Sequence, residues 1–250
     1  MTQRIVARRN GGIWFPLGLW AGVLVLFAQQ GLWRAVLGRL FPSVQTPIFE
    51  RQTLLNLTLE HLGLTLLAGG LVLLVGLPLA VWVSRGQGEA FRPLVENLVA
   101  VGQTFPPPAV LALALPFFGF GAQGAVLALF IYGLLPVVRN TLEGLAGLPG
   151  DVLESARGMG LSPRERLFRV ELPLALPVIL SGVRTSFVLI LATATLAPLV
   201  GGGGLGVPII AGLAVSNLAL VAQGAAAVAI LAILLDYTFA RLEAFLAPWR

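Results

Sequence analysis

The sequence predicts an all-α protein, a polytopic bundle of about six membrane-spanning helices. Three observations favour this fold class: an apolar composition, a series of apolar stretches of spanning length, and an uneven distribution of arginine between the segments that join them. Hydrophobic residues make up 57% of the 250 residues and charged residues only 11%. Soluble domains carry about 25% charged residues. The chain therefore has too few polar side chains to cover its surface in water, and a bilayer suits it better.

The apolar stretches give the predicted spans. A membrane-spanning helix needs about 20 mostly apolar residues. We predict spans at residues 13–28, 62–83, 94–116, 122–138, 173–198 and 218–239. Internal prolines and glycines interrupt two of these stretches, so a five-span bundle is the alternative. No small-residue cleavage site follows the first stretch, which favours an uncleaved span over a signal peptide.

The arginines predict the orientation of the bundle, because connecting segments rich in arginine stay in the cytoplasm. With six spans, twelve arginines share the side of the N-terminus, three lie on the other side, and Arg184 falls within a span. The three on the outer side are Arg34, Arg39 and Arg51. The twelve are Arg4, Arg8, Arg9, Arg85, Arg92, Arg139, Arg157, Arg164, Arg166, Arg169, Arg241 and Arg250. We therefore expect both termini to be cytoplasmic.

The composition also excludes several kinds of function. The chain has no cysteine and one histidine, His61, so a metal site and thiol chemistry are not expected. All 16 basic residues are arginine, whereas a P-loop needs a lysine to reach the β- and γ-phosphates of ATP. We expect no cofactor in this chain and no ATPase site of its own. The net charge of +5 fits arginines at a lipid surface, and nucleic acid is not expected as a partner.

Three parts are predicted along the chain. Residues 1–52 hold a cytoplasmic tail, the first span and an outer amphipathic segment, and residues 241–250 form a second cytoplasmic tail. Residues 53–240 form the core, which includes a cytoplasmic loop over residues 139–172. Connections in compact bundles are usually about 2–8 residues long. The loop over residues 139–172 is much longer, which favours a docking surface over the alternative, an ordinary charged connection.

Two short helices are predicted in that loop. The first covers residues 152–159, with Asp151 as its cap, and ends at Gly158 and Gly160. The second begins with Ser162 as N-cap and Pro163 at the first helical position, and it runs on towards the membrane. We expect both helices to lie against the cytoplasmic face.

The loop residues resemble the EAA loop of ABC-importer permeases. That loop reads Glu-Ala-Ala, three residues, Gly, nine residues, Ile, one residue, Leu-Pro. This sequence departs from it at Ser155 and Val170, which are size-tolerant replacements. The resemblance implies that the loop couples the permease to an ATPase. The implied coupling residues are Glu154, Ser155, Ala156, Arg157, Gly158, Gly160, Leu172 and Pro173. An ion pair within the loop is the alternative role for Glu154 and Arg157.

Four further segments resemble the osmoprotectant branch of that family, which imports glycine betaine, choline and carnitine. They are His61–Thr65, Thr104–Pro106, Leu134–Thr141 and Gly201–Gly206. The resemblance implies the type I ABC-importer permease fold in the bacterial cytoplasmic (inner) membrane and a quaternary amine as solute, with amino acids or another small polar solute as the alternative. The implied partners are two cytoplasmic ATPase subunits that hold ATP and magnesium, a second permease chain, and an extracytoplasmic substrate-binding protein.

The polar and helix-breaking residues within the spans are candidates for the translocation path. Proline removes a helix N–H and distorts the preceding turn, so the third span is predicted to be kinked or broken and to line the path, with a kink satisfied by neighbouring helices as the alternative. Arg184 is either a path residue or reaches the membrane surface. The candidates in the broken span are Gln103, Thr104, Phe105, Pro106 and Pro107.

An outer gate turn is predicted at Gly201, Gly202, Gly203 and Gly204, because a glycine run is too flexible for a helix interior. A short, partly buried segment over residues 207–217 is expected to follow it. A transporter that works without ATP would be expected to carry intramembrane carboxylates and inverted repeats. A membrane-embedded enzyme would need a catalytic set that this sequence does not offer. A scaffold without transport activity has no feature in its favour.

Overall fold

The computed structural model describes residues 14–247, and every structural statement below concerns that range. The helices are α1 (Trp14–Ala28), α2 (Gln30–Leu40), α3 (Leu54–Val83), α4 (Arg92–Thr104), α5 (Pro107–Phe118), α6 (Ala122–Ala146), α7 (Gly150–Gly158), α8 (Pro163–Arg166), α9 (Leu172–Thr193), α10 (Gly206–Ala214) and α11 (Leu218–Leu246). Short 3₁₀ segments cover Gly86–Phe91 and Ala194–Val200, and a π-helical turn covers Leu167–Glu171. The described residues contain no β-strand. The tail residues Arg4, Arg8, Arg9 and Arg250 lie outside them.

Four helical stretches are long and apolar enough to cross a membrane. They are Leu54–Val83, Ala122–Ala146, Pro163–Val200 and Leu218–Leu246. Two bent helix pairs bring the number of spans to six if each pair crosses as one unit. One pair is α1 with α2, bent by 69°, and the other is the Gly86–Thr104 stretch with α5, bent by 100°. The prediction of about six spans therefore holds for the described residues when both broken pairs are counted.

Polar caps mark the start of two long helices, α3 and α11, and both helices extend beyond the predicted spans. Helix α3 starts at Leu54, well before residue 62, since the Thr53 side chain accepts a hydrogen bond from the Asn56 amide. Helix α11 starts after Asn217, whose side chain accepts from the amides of two residues of its first turn. It continues past residue 240, the predicted end of the core, to Leu246. An apolar stretch in the sequence shows only the part of a helix that faces lipid, whereas a cap shows where the helix itself begins.

The core lies where α3, α6 and α9 pack against one another. Glycines let these helices approach closely, as in many membrane bundles. A Cβ on Gly133 of α6 would lie 2.6 Å from Ile190 Cδ1 of α9. A Cβ on Gly69 of α3 would lie 2.5 Å from the Phe187 ring of α9. Helix α1 packs on the outside of α11, where Trp20 Nε1 donates to Thr238 Oγ1 at 3.0 Å.

The bundle has two distinct ends. The helices α7 and α8 lie at one end, with the C-terminal ends of α3 and α6, and we call this the loop end. Residues 201–205 lie at the other end, with the N-terminal ends of α3 and α6, and we call this the turn end. Helix α9 and the 3₁₀ segment after it run between the two ends.

Candidate functional site

Helix α7 at the loop end carries five of the eight predicted coupling residues, Glu154 to Gly158, and a Schellman motif that includes Gly160 ends it. The amide of Gly160 donates to the Arg157 carbonyl at 2.9 Å, and the amide of Leu161 donates to the Ala156 carbonyl at 3.3 Å. The motif requires a left-handed residue directly after the C-cap, and Gly160 has φ +77°. Gly160 is therefore needed for its backbone conformation, and no atom outside its own neighbourhood lies within 4 Å of a Cβ built on it.

Helix α7 is anchored by one buried residue and otherwise faces outwards. Ala156 is 1% exposed and is the buried residue of this helix. Glu154, Ser155, Arg157 and Gly158 are exposed. Neither Glu154 nor Arg157 makes an ion pair within the described residues. The alternative role of these two residues, an ion pair inside the loop, is therefore wrong for this structure.

The start of α7 differs from the prediction. Its N-cap is Pro149, without a side-chain hydrogen bond, and Asp151 lies inside the first turn. The Asp151 carboxylate accepts from the amide of its neighbour Val152 at 2.9 Å. The prediction that Asp151 caps the helix is wrong, because Gly150 takes a helical conformation and starts the helix two residues earlier. An acidic residue in a first turn still favours the helix through its dipole.

The second short helix begins as predicted, at a capping box. The Ser162 hydroxyl accepts from the Glu165 amide at 3.3 Å, and the Glu165 carboxylate accepts from the Ser162 amide at 3.1 Å. Pro163 follows at the first helical position. The chain then passes without a break through the π-helical turn into α9, where Leu172 and Pro173 form the first turn. The loop and the span are one continuous helical stretch.

Glu171, the last residue of the π-helical turn, binds two arginines. Its Oε1 accepts from Arg166 Nε at 2.7 Å and its Oε2 accepts from Arg85 Nη2 at 2.6 Å. Arg166 belongs to α8, whereas Arg85 directly follows the end of α3. The Glu171 side chain is only 10% exposed. We call these three residues the Glu171 clasp. Sequence reasoning missed it, because nothing local in the sequence pairs residues 85 and 171.

The predicted break in the third span is confirmed, and it is sharper than a kink. Helix α4 ends at Thr104, Phe105 has an extended conformation, and Pro106 caps α5. The next two prolines occupy the first turn of α5, where their missing N–H groups need no partner. The prolines therefore start a new helix at a 100° angle instead of distorting a continuous one.

Neighbouring groups satisfy the backbone at this corner. Pro136 in α6 has no N–H, which leaves the Tyr132 carbonyl one turn earlier without its helical donor. Gln103 Nε2 donates to that carbonyl at 2.7 Å, and the Tyr132 hydroxyl donates to the Phe105 carbonyl. The α4–α5 corner and the Pro136 region of α6 thus each donate a hydrogen bond to a carbonyl of the other. Backbone groups within a membrane need such partners because no water is available there. Thr104 bonds within its own helix, to the Val101 carbonyl.

An apolar cavity of about 370 Å³ lies inside the angle between α4 and α5. Its wall includes Phe105, Leu113, Phe117 and Ile131. Phe117 is 83% exposed and Leu113 is 64% exposed. The corner thus presents large apolar side chains on a concave surface.

Arg184, the other predicted path residue, is paired within the bundle. Its Nε and Nη2 both donate to the carboxylate of Asp236 on α11 at 2.5 Å. The side chains of the pair are 35% and 42% exposed. Within the described residues, no hydrogen bond or ion pair joins Arg184 to the α4–α5 corner. A bidentate contact with an acid on a neighbouring helix explains how an arginine is accommodated at this position.

The glycine turn at the turn end packs tightly onto α3. Gly201, Gly203 and Gly204 have φ values of +80°, +75° and +86°, which favour glycine. The Gly204 amide donates to Glu60 Oε2 at 3.0 Å. Gly202 closes the turn through a bond from its amide to the Ala197 carbonyl at 2.9 Å.

His61 lies buried beneath the turn. Its Nε2 is 2.9 Å from the Leu191 carbonyl, and a Cβ on Gly204 would lie 3.0 Å from its Nδ1. The predicted segment after the turn is α10, which begins at Gly206. Glu60 was not among the predicted site residues, because an exposed carboxylate at a helix start gives no sign of its remote partner.

No group of three or more histidines, cysteines or acids that could hold a metal ion occurs in the described part of the chain.

Comparison with known proteins shows which family this chain belongs to. A family model described as "Binding-protein-dependent transport system inner membrane component" matches residues 74–249. The chain is 43% identical over 195 residues to the choline transport system permease protein OpuBB of Bacillus subtilis, which covers 78% of this chain and 89% of that protein. It is 38% identical over 200 residues to the osmoprotectant import permease protein OsmW of Salmonella typhimurium, covering 78% and 92%.

A solved structure has the same fold. The inward-facing MetNI methionine ABC transporter matches with a TM-score of 0.66 at 22% identity, over 75% of this chain and 93% of that chain. This likeness confirms the predicted type I ABC-importer permease fold. Since the family model covers most of the chain, the protein belongs to the binding-protein-dependent transport system inner membrane components, the multi-pass permease subunits of ABC importers.

Proposed function

We propose that this chain forms the translocation path of an importer for quaternary-amine osmoprotectants such as glycine betaine, choline or carnitine. Support comes from the relatives, whose names give choline for OpuBB and glycine betaine, carnitine and choline for OpuCB of Bacillus subtilis, 41% identical over 195 residues. A small zwitterion or cation of this kind needs a protein path, because charge is costly within a bilayer. An importer of amino acids or of another small polar solute is the alternative.

Helix α7 is the proposed docking element for a cytoplasmic ATPase subunit, and its exposed surface is the observation that carries this proposal. Glu154 and Arg157 face outwards without an ion-pair partner in the described residues. Charges that are not engaged within the chain are available for charge-assisted hydrogen bonds to a partner. The small residues Ser155 and Gly158 would let a partner backbone approach closely.

ATP and magnesium would bind the ATPase subunits and not this chain. The full sequence contains no lysine, and a P-loop needs one. The loop end would face the cytoplasm, because eight of the described arginines lie there and three lie at the turn end. The eight are Arg85, Arg92, Arg139, Arg157, Arg164, Arg166, Arg169 and Arg241. The three are Arg34, Arg39 and Arg51.

The α4–α5 corner and the glycine turn are the proposed parts of the path and of its outer gate. The corner exposes Phe105 and Phe117 on a concave wall, and aromatic rings attract quaternary ammonium groups. A second permease chain, either a copy or a paralogue, would close the open side of the corner. An extracytoplasmic substrate-binding protein would deliver the solute at the turn end. Arg184, as one half of its ion pair with Asp236, would line part of the path.

Purification of the tagged chain from its native membranes in mild detergent tests the docking proposal. The expected result is that an ATPase subunit copurifies in stoichiometric amount and that Glu154→Arg abolishes this association. Glu89→Arg is the matched control, because Glu89 is also exposed at the loop end but lies outside α7. Equal ATPase recovery with wild type and Glu154→Arg would contradict docking through α7.

Uptake into proteoliposomes tests the solute. The complete transporter with its binding protein should take up radiolabelled choline or glycine betaine only when ATP is enclosed with the ATPase subunits. Uptake of a labelled amino acid in preference to these solutes would overturn the osmoprotectant assignment. Uptake by the chain alone, driven by an ion gradient, would favour an ATP-independent transporter.

A further inference from the structure

The Glu171 clasp differs from the other ion pairs of the loop end. Arg139 with Glu143 and Arg169 with Glu165 are separated by four residues and lie within single helical stretches. Glu171 instead reaches Arg85, 86 residues earlier in the chain. Among the ion pairs that the described residues of the 139–172 loop make, this one alone reaches a residue outside the loop.

The clasp is also the most sheltered ion pair of the loop end. Its side chains are 10% exposed at Glu171, 19% at Arg166 and 30% at Arg85. The Arg139–Glu143 pair is 69% and 55% exposed. Solvent and salt screen buried charges far less than exposed ones. Removing one partner of a sheltered pair leaves the other charge poorly solvated, so breaking this contact is more costly than breaking an exposed pair.

Each member of the clasp lies at the end of a different helical element. Glu171 immediately precedes α9, and Arg166 is the last residue of α8, against which α7 packs. Arg85 begins the corner between α3 and α4. The rings of Trp82 and Phe91 stack at 5.5 Å across that corner. This contact joins the last turn of α3 to the N-cap residue of α4.

We propose that Glu171 and Arg85 form the positioning contact through which movement of α7 reaches α4, and from it the α4–α5 corner. The proposal deepens the proposed function and rests on it, since it assumes that an ATPase moves α7. The continuous helix carries the same movement into α9. The clasp would make α7, the start of α9 and the α3–α4 corner move as one rigid body.

Glu171→Gln and Arg85→Gln test this contact in the reconstituted transporter. ATPase subunits should copurify as with wild type, and ATP hydrolysis should continue, because α7 itself is untouched. The number of solute molecules imported per ATP should fall by about 2- to 30-fold. The double variant should be no worse than Glu171→Gln alone if the two residues act as one contact. Arg139→Gln, which alters an exposed pair at the same end, is the control and should keep the wild-type ratio.

A distance measurement separates positioning from a merely structural role. The chain has no cysteine, so spin labels can be placed at Gln87→Cys in the α3–α4 corner and Met159→Cys beside α7, both exposed positions. Labelled chain is diluted with unlabelled chain so that distances within one copy dominate. The distance should be the same in the nucleotide-free and ATP-trapped states, and Arg85→Gln should make it differ between them.

Two results would overturn the inference: a distance that changes between the states in the wild-type clasp, or an Arg85→Gln transporter that imports as much solute per ATP as wild type. A wild-type chain that binds no ATPase would instead overturn the proposed function. The two failures are therefore distinguishable, because copurification is measured before coupling.

Discussion

The two ends of the bundle are held by different kinds of contact. In the segment of the loop end that carries α7 and α8, conformation depends on directional polar groups: the Schellman motif at Gly160, the capping box at Ser162 and the Glu171 clasp. At the turn end, it depends on backbone packed against backbone and side chains. Gly204 lies against His61, and a Cβ on Gly224 would lie 2.8 Å from the Leu205 carbonyl.

This difference predicts how the ends respond to substitution. Packed backbone has no room for an added methyl group, and overfilling a packed region costs about 1–3 kcal/mol or more. Polar motifs on an exposed helix can lose one contact while the bundle stays intact. Changes at the turn end should therefore reduce the amount of folded protein, whereas changes in the segment that carries α7 and α8 should alter local order.

Gly206→Ala should have the largest effect. A Cβ at this position would overlap the Thr195 carbonyl, so the backbone of α10 or of the preceding 3₁₀ segment must move. We expect the Tm in detergent to fall by at least about 5 °C, together with the yield of folded protein. Thermal unfolding followed by circular dichroism measures this.

Gly63→Ala is the matched control for that variant, since a Cβ on Gly63 of α3 meets nothing within 4 Å. It should leave the Tm unchanged or slightly higher, because alanine favours helix over glycine by about 0.5–1 kcal/mol. Equal losses in the two variants would mean that close packing does not distinguish the turn end.

Gly160→Ala should have an intermediate and local effect. The position has φ +77° and open space around it, so the cost is conformational, about 1 kcal/mol. A cost of this size corresponds to about a fivefold loss of hydrogen-exchange protection for the α7 amides. The global Tm should change little, because α7 buries only Ala156.

Gly158→Ala is the matched control for Gly160→Ala, because it replaces a glycine at the same helix end that does not need a left-handed backbone. Gly158 is the last helical residue of α7 and also has open space for a Cβ. Protection of the α7 amides should stay equal or increase. If both glycine variants lost protection equally, the Schellman motif would not be what holds the end of α7.

Arg139→Gln should have the smallest effect. It removes an ion pair whose side chains are 69% and 55% exposed, and such pairs contribute about 0–1 kcal/mol. We expect the Tm to stay within about 1 °C of wild type in low salt. A Tm loss comparable to that of Gly206→Ala would show that exposed ion pairs at the loop end contribute as much to global stability as close packing does at the turn end.

Much of the structure of the loop that carries α7 and α8 was predictable because its signals are local. The capping box and the glycine after α7 follow from residue types at fixed short spacings. Three successive prolines likewise predicted the break after Phe105. The prediction that Asp151 is the helix cap was wrong, because an acidic residue can stabilise a helix start either as its cap or within its first turn.

The sequence by itself determined the membrane-spanning class, the polar loop with its caps, and the absence of a lysine for binding ATP, since all of these depend on composition or on neighbours in the chain. Only the tertiary structure decided the pairing of Glu171 with Arg85 and the partners of Arg184, Glu60 and Gln103. Each is a contact between residues far apart in sequence. Which remote groups meet depends on how the helices pack, and on which backbone groups proline and close packing leave without partners.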